Sequence, residues 1–301
     1  MSLTLGQMTD HVAEVTGAVD AASREAIARF LRRRYQMIWD AQLWDDSKVV
    51  IALVTTVPEV ILPSWVDRVL AVKTVGDDPR LLFPVEVGTL WQLCPRAYEE
   101  AGDPLVYSEL PPVGVHTHPN GGKLVFTSSA GGDSANVRVR GMFNGLVVDE
   151  TVTLAGTSSV TSANYFDEVA VLSKPLTTGH VRVTTNHAQP YEVQVLLADE
   201  TGRRHARLRL HRAFESALTL TVLAKRTALE LAHANDTPNL TGCENLLIAY
   251  GVADMWERMR QVAKSQAKLN EAAALMSALV ARDVLQKARV VQLVPETGVY
   301  A

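Results

Sequence analysis

Apolar residues follow two different periods along the chain, and the first is helical. After Asp20, apolar positions recur at spacings of three and four residues, as in Ile27 and Leu31, which is typical of one face of an amphipathic helix. Asp20 is a preferred N-cap residue, because its carboxylate accepts from backbone N–H groups that the first turn leaves unbonded. The pattern predicts a helix that begins after Asp20 and ends near Trp44.

From Lys48 the apolar positions follow the spacing of β-strands, with many β-branched residues. The runs at 49–54 and 59–62 flank a turn-forming segment that ends at Pro58, so we expect a β-hairpin there. Further strands are predicted at 66–74, 105–108 and 124–126.

A second β-rich region follows the glycine-containing linker at 130–134. Regularly spaced short strands predict a small β-sandwich of immunoglobulin-like (Ig-like) architecture. The turn at 199–202 is expected to join the last two of these strands, and a strand at 218–224 should return the chain to the first domain. The predicted sandwich strands are 137–141, 147–154, 168–172, 180–185, 191–197 and 206–210.

The C-terminal quarter is again helical in pattern. Thr241 with Glu244 three residues later is a capping-box sequence, and the helical pattern continues to Lys287. Its apolar stripe fits either the protein's own core or a groove for a partner. After it comes an apolar tail, which either folds back or adds to a neighbouring protein by β-augmentation. The apolar tail residues are Val291, Leu293, Val294, Val299 and Tyr300.

Together these elements predict an α+β fold. Residues 1–133 and 211–301 would form a helical adaptor body with a small β region, and 134–210 an inserted Ig-like β-sandwich.

Composition narrows the class of protein without naming a function. The chain is 47% hydrophobic and 21% charged with a net charge of −4, which is typical of a globular protein. There is no basic excess that would favour nucleic-acid binding as the main source of affinity. The first ten residues lack a signal-peptide pattern, and no apolar window has the length of a membrane span. We therefore expect a protein made in the cytoplasm, without membrane association.

Candidate chemistry is sparse. His116 and His118 would lie on one face of a strand, but no third ligand is indicated nearby, and Cys94 and Cys243 do not form a CxxC pair. Nucleophile, phosphate-binding and dinucleotide-binding motifs are absent from the sequence. We therefore assign no catalytic, cofactor-binding or metal-binding residue, and expect no cofactor and no enzyme.

Two arginine-rich segments are the strongest local charges. Arg32, Arg33 and Arg34 fan over about 200° of a helix. We expect a solvated surface there, with the alternative that one or two meet acidic neighbours or a DNA backbone. The cluster of Arg203, Arg204, His205 and Arg207 is likewise expected to be solvated.

The order of these segments resembles that of a known family. The segment RRRYQMIWD at 32–40 is followed by Leu43 and Trp44, then by VPEVILP at 57–63 and VDRVLAV at 66–72. This succession is similar to the start of the head-to-tail connector (adaptor) proteins of tailed phages. The inserted sandwich resembles the Ig-like modules of phage virion proteins.

The resemblance implies a structural virion protein, assembled in the host cytoplasm. Its copies would form a ring, a dodecamer, that docks on the portal protein in the neck and extends the DNA channel toward the tail for genome ejection. The apolar tail would be the arm that grips the portal, and the Ig-like domain would face tail or fibre proteins. DNA would pass without sequence-specific binding. The alternatives are a carbohydrate- or surface-binding module displayed on a virion, and an enzyme that acts on the cell wall.

Overall fold

The computed structural model describes residues 2–76, 79–93, 102–212 and 216–291, with the side chains of 93 and 286–291 left aside. These ranges contain five α-helices and 14 strands. The helices are α1 (Leu5–Thr16), α2 (Ala21–Ala41), α3 (Val87–Leu93), α4 (Glu244–Arg258) and α5 (Val262–Val291). The strands are β1 (Lys48–Thr55), β2 (Glu59–Ile61), β3 (Val66–Val75), β4 (Leu81–Pro84), β5 (Val106–Val113), β6 (Leu124–Ser128), β7 (Asn136–Phe143), β8 (Leu146–Thr153), β9 (Val160–Thr161), β10 (Glu168–Ser173), β11 (Val181–Thr185), β12 (Glu192–Leu196), β13 (His205–Leu210) and β14 (Leu218–Arg226).

The predicted fold class is wrong in the balance between helices and strands. The 14 strands form three sheets, one of them a nearly closed barrel, and this β-rich fold does not fit a helical adaptor body with a small β region. The sequence underestimated the sheets because strands far apart in the chain pair with one another. β13 pairs with β2 and with β5, both of which precede the sandwich in sequence. Local periodicity identifies a strand but does not identify its partner.

The chain divides into two compact units, Met1–Lys48 with Arg226–Ala301, and Val49–Lys225. We call them the helical unit and the β unit. In the helical unit, α1 begins with a capping box between Thr4 and Gln7, and Gly17 ends it in a left-handed conformation. Helices α1, α2 and α4 contact one another and α5 packs on α4. Their shared core includes Met8, Leu31, Trp39, Leu247 and Ala272.

The barrel of the β unit has the strand order β1-β14-β3-β4-β5-β13-β2. Its strands alternate because side chains on one face enter the core and those on the other meet solvent. Val69 and Val72 of β3, Leu208 of β13 and Val222 of β14 share this core. The hairpin predicted between β1 and β2 is wrong, since in this order β1 is hydrogen-bonded to β14 and β2 to β13.

The second part of the β unit is a small sandwich of a three-stranded sheet, β10-β7-β8, and a four-stranded sheet, β12-β11-β6-β9. Phe126 and Val183 of the four-stranded sheet and Val139 of the three-stranded sheet share one buried core with Phe166, which precedes β10. The sandwich strands begin at 124 and end at 196. The segment at 206–210, predicted as a sandwich strand joined to 191–197, is β13 of the barrel.

Candidate functional site

The portal-binding residues predicted in the tail lie at or beyond the end of the described chain. Val291 is the last residue of α5, and its side chain is not described. Leu293, Val294, Val299 and Tyr300 lie outside the described residues. Their role as a portal-binding arm stays a prediction.

The arginine triplet of α2 is divided among three environments. Arg32 donates from Nε to the carbonyl of Leu231 at 2.6 Å. Arg34 donates from Nε to Oδ2 of Asp254 at 2.8 Å and from a terminal nitrogen to Oδ1. Arg33 is exposed. The prediction of a solvated triplet therefore holds for Arg33 alone, and its alternative of an acidic neighbour is met by Arg34.

The aromatic residues near the triplet are anchored to the chain that returns after the β unit. The hydroxyl of Tyr35 donates to Oδ1 of Asn239 at 2.9 Å. The indole of Trp39 donates to the carbonyl of Arg226 at 3.0 Å. Burial in this apolar setting raises the pKa of Tyr35 to about 12, so its hydroxyl stays protonated as a donor. These side chains hold the N-terminal and C-terminal parts of the helical unit together.

A groove of about 440 Å³ lies between α2 and α4. Asp254 and the guanidinium of Arg34 line it, and half-exposed apolar side chains flank them. Its lining residues are Phe30, Arg33, Arg34, Met37, Asp254, Glu257 and Arg258. Within this lining, the guanidinium of Arg34 and the carboxylate of Asp254 are hydrogen-bonded to each other across the groove.

A shared arginine links barrel and sandwich within the β unit. Arg207 of β13 donates from one terminal nitrogen to Oε1 of Glu59 and to Oε1 of Glu168, both at 2.9 Å. Glu59 belongs to β2 of the barrel and Glu168 to β10 of the sandwich. With only 12% of its side chain exposed, Arg207 is not the solvated residue predicted from the sequence. This bridge ties the sandwich to the barrel.

His118 lies beside this bridge. Its Nε2 is 3.9 Å from Oε1 of Glu59, and neither ring nitrogen has a hydrogen-bond partner among the described residues. Burial lowers the pKa of His118, against the opposing pull of Glu168 and Glu59. The imidazole is therefore neutral at neutral pH, and the bridge is held by Arg207 rather than by a histidine cation.

Residues of the barrel and of the sandwich also line a cavity of about 350 Å³ within the β unit. Its lining comes from the segment between β2 and β3, the segment after β5, strand β12 and the residues at the start of β13. His205, the first residue of β13, is only 3% exposed. The lining residues are Pro63, Ser64, Trp65, His116, Thr117, Glu192, Val193, Gln194, Val195, Arg203 and His205.

The hydrogen bonding of His205 fixes the role of each ring nitrogen. Nδ1 lies 3.0 Å from the carbonyl oxygen of Leu62, which can only accept, so Nδ1 carries the proton. Nε2 is buried and has no hydrogen-bond partner among the described residues. Burial lowers the pKa of His205, which keeps the ring neutral and leaves a lone pair on Nε2.

The rim of the cavity is held in place by the sandwich. The backbone N–H of His116 donates to Oε1 of Gln194 at 3.1 Å, and the N–H of Thr117 donates to the carbonyl of Val193 at 3.3 Å. The ring of His116 lies edge-on to that of His205, with 5.5 Å between ring centroids. Trp65, which is 40% exposed, also belongs to the lining. The lining thus contains two imidazole rings and one indole ring.

Sequence reasoning missed this cavity because its parts are far apart in the chain. His205 was predicted to be solvated with its arginine neighbours, and the sequence assigned no role to Trp65. The alternating pattern of β13 is the one sequence feature that could have indicated a shared environment for His205. It places His205, Arg207 and Arg209 on one face of the strand and Leu208 and Leu210 on the other.

The described ranges contain no group of three His, Cys, Asp or Glu side chains placed to hold a metal ion. In the same ranges, none of the helices combines the length and apolarity needed to cross a bilayer. Cys243 is buried at the start of α4, where burial raises the pKa of its thiol to about 12, and Cys94 lies outside the described residues.

Comparison with known proteins adds no assignment: no protein-family model and no curated protein matches the chain.

Proposed function

We propose that this chain is a structural subunit of a tailed-phage neck, a head-to-tail adaptor whose copies form a homo-oligomeric ring on the portal protein. The proposal rests on the resemblance carried by the segments at 32–40, 57–63 and 66–72. In such a ring each copy would contact its neighbours head-to-tail, and the rotation would close. We take the ring to be a dodecamer, as the resemblance implies.

One observation supports a structural role for the segment that carries the resemblance. Arg32, Arg34, Tyr35 and Trp39 direct their polar groups into bonds with residues 226–254 of the same unit. A catalytic side chain must keep a polar group available for substrate. These side chains instead stabilise the junction between the two ends of the helical unit.

The tail that follows α5 is the proposed portal-binding arm. Its apolar and β-branched residues suit an extended segment that adds to a sheet of another protein, where main-chain hydrogen bonds provide affinity and alternate side chains provide specificity. In the proposed assembly, Val291, Leu293, Val294, Val299 and Tyr300 are the residues that the portal would cover. The DNA channel would run through the ring, and the net charge of −4 would limit DNA adhesion.

The test uses the full-length chain and the portal protein that the proposal predicts to be encoded beside it, and the absence of a portal gene there would count against the proposal. Native mass spectrometry measures the ring alone and its complex with the portal. We expect the variant with Leu293, Val294, Val299 and Tyr300 each changed to Ser to lose portal binding by at least about a hundredfold, since each apolar side chain contributes on the order of 1 kcal/mol when buried.

A matched control changes only polar residues of the same tail, Gln292→Ala, Glu296→Ala and Thr297→Ala. This control should bind the portal within a few-fold of the unaltered chain. Equal portal binding by the serine variant would overturn the arm. A chain that stays monomeric at all concentrations, with and without portal, would overturn the ring.

A further inference from the structure

We infer that the groove between α2 and α4 of the helical unit is an interface between copies of this chain, and that it receives the turn between α1 and α2 of a second copy. This inference deepens the proposed ring, and it rests on that proposal for the closure of the ring. The contact itself is argued from the charge, exposure and spacing of residues within the helical unit.

The groove offers two unpaired cations. Arg33 of α2 and Arg258 of α4 both line it and are both exposed, and neither makes a hydrogen bond or an ion pair with any described residue. The guanidinium of Arg34 is by contrast already bonded to Asp254. Glu257 is the remaining carboxylate of the described lining, so the groove keeps a net positive charge in a chain whose net charge is −4.

The same groove also has an apolar surface. Met37 of α2 lines it and is 51% exposed, and Phe30, two helical turns earlier, is partly buried in the same lining. Methionine is unbranched and flexible, so it adapts to the shape of an incoming surface. An occupant that complements this groove therefore combines carboxylates with small apolar side chains.

The turn between α1 and α2 has this composition. Val15 and Val19 are 45% and 65% exposed. Glu14 is also exposed, and its carboxylate has no hydrogen-bond or ion-pair partner among the described residues. From 10 to 25 the chain carries four carboxylates against one arginine and no lysine. The turn is therefore acidic and apolar where the groove is basic and apolar.

The two surfaces lie too far apart to meet within one copy. Asp20 and Glu25 lie near the start of α2, whereas the four arginines of 29–34 follow further along it. A rise of 1.5 Å per residue places Arg33 about 20 Å from Asp20 along the helix axis. The opposite charges can therefore meet only between two copies. Such a head-to-tail contact joins two different surfaces, and successive contacts of this kind can close into a ring.

The experiment is sedimentation velocity of the full-length chain over a range of concentrations, with two charge-reversal variants. The first, the turn variant, carries Glu14→Arg. The second, the groove variant, carries Arg33→Glu and Arg258→Glu. We expect the unaltered chain to assemble and each variant to assemble at least about tenfold more weakly, because like charges would then face each other across the interface.

An equimolar mixture of the two variants should assemble within a few-fold of the unaltered chain. In the mixture each reversed turn meets a reversed groove, and each unaltered turn meets an unaltered groove. Opposite charges then face each other at every contact of an alternating ring. Recovery on mixing also shows that both variants are folded.

The matched controls reverse charges elsewhere. Glu230→Arg repeats the change of the turn variant at an exposed position of the helical unit. Lys73→Glu combined with Arg204→Glu repeats the change of the groove variant at exposed positions of the β unit. None of these residues lines the groove or belongs to the turn. The controls should assemble like the unaltered chain.

Unchanged assembly of both charge-reversal variants would overturn this interface and leave the ring standing. Two weakened variants that do not recover on mixing would overturn it as well. Loss of portal binding by the groove variant, with its assembly unchanged, would make an acidic segment of the portal the occupant instead of a second copy. An unaltered chain that stays monomeric with and without portal would overturn the ring and the interface together, so the two failures are distinguishable.

Discussion

Arg34 is held on two sides by residues of α4. Its guanidinium makes two hydrogen bonds to the carboxylate of Asp254, and its Cζ lies 4.6 Å from the ring centroid of Tyr250. The side chains of Arg34 and Asp254 are 23% and 12% exposed, so both charges are largely removed from water. The main effect of such a pair on stability appears when one partner is removed, because the other charge is then left buried without a counter-charge.

Replacing Arg34 by Ala should therefore lower the free energy of unfolding of the helical unit by about 2 kcal/mol, between the values for exposed and fully buried pairs. Urea denaturation followed by tryptophan fluorescence measures this change. Arg24→Ala is the matched control, because its partner Asp10 is 61% exposed, and it should cost less than about 1 kcal/mol. Equal losses from the two variants would contradict the role assigned to burial.

Asp133 gives a pH-dependent prediction for the sandwich. The hydroxyl of Ser128 and the backbone N–H groups of Thr178 and Gly179 donate to its carboxylate and lower its pKa from 3.8 to about 2. Because the folded pKa lies below the unfolded value, the ionised carboxylate stabilises the fold above pH 3.8, and this contribution is lost as the pH falls toward 2.

The Asp133→Asn variant should be less stable than the unaltered chain at pH 5, and the gap should close near pH 2. Hydrogen exchange of peptides that cover 124–135 and 178–185 measures this, since these segments contain the donors. Asp199→Asn, at an exposed position, should show no such gap. A gap that stays constant from pH 5 to pH 2 would contradict the prediction.

At the scale of elements, local signals were sufficient for some boundaries and not for others. The N-cap at Asp20 is confirmed, since its side chain accepts from the N–H of Ser23 and α2 begins at Ala21. The capping box predicted at Thr241 is wrong. Gly242 adopts a left-handed conformation, and α4 begins at Glu244 after Cys243, which makes no side-chain cap. Arg260, also left-handed, separates α4 from α5 within the helical pattern that the sequence predicted to continue to Lys287.

The sequence likewise located individual strands better than it identified which strands pair. The periodicity at 49–54 and 66–74 found β1 and β3 nearly to the residue, because each alternates over its own length. The barrel, however, depends on pairs such as Leu208 with Val60, which are almost 150 residues apart. The candidate cavity has the same origin: Trp65, His116 and His205 meet only once β13 has entered the barrel.

Substitution of Gly114 tests how closely the segment after β5 packs against β10. Gly114 follows β5 and lies against β10, where an added Cβ would be 2.6 Å from the nitrogen of Leu172 and 2.9 Å from the Cα of Val171. Because these neighbours are backbone atoms, they cannot move aside cheaply. Gly114→Ala should destabilise the β unit by about 1–3 kcal/mol.

The control for this substitution is Gly131→Ala, because an added Cβ at Gly131 meets nothing within 4 Å. Chemical denaturation of both variants provides the comparison. An unaltered free energy of unfolding for Gly114→Ala would contradict the close packing of β5 on β10.

At the scale of the whole molecule, the helical unit and the β unit have hydrophobic cores of their own. Arg34 and Asp254 belong to the helical unit, and Gly114 and Leu172 belong to the β unit. Substitutions without shared partners usually have additive effects. The Arg34→Ala and Gly114→Ala substitutions should therefore each act mainly on their own unit.

We expect Arg34→Ala to speed hydrogen exchange in α2 and α4 while exchange in β3 and β13 stays within about twofold of the unaltered chain. Gly114→Ala should show the reverse, and the combined variant should show both changes by the same factors as the single variants. Hydrogen exchange of peptides from these four elements, performed on the same four proteins, measures the local stabilities. If Arg34→Ala also speeded exchange in β3 and β13 tenfold, the two units would be energetically coupled, and the assignment of each substitution's effect to one unit would be wrong.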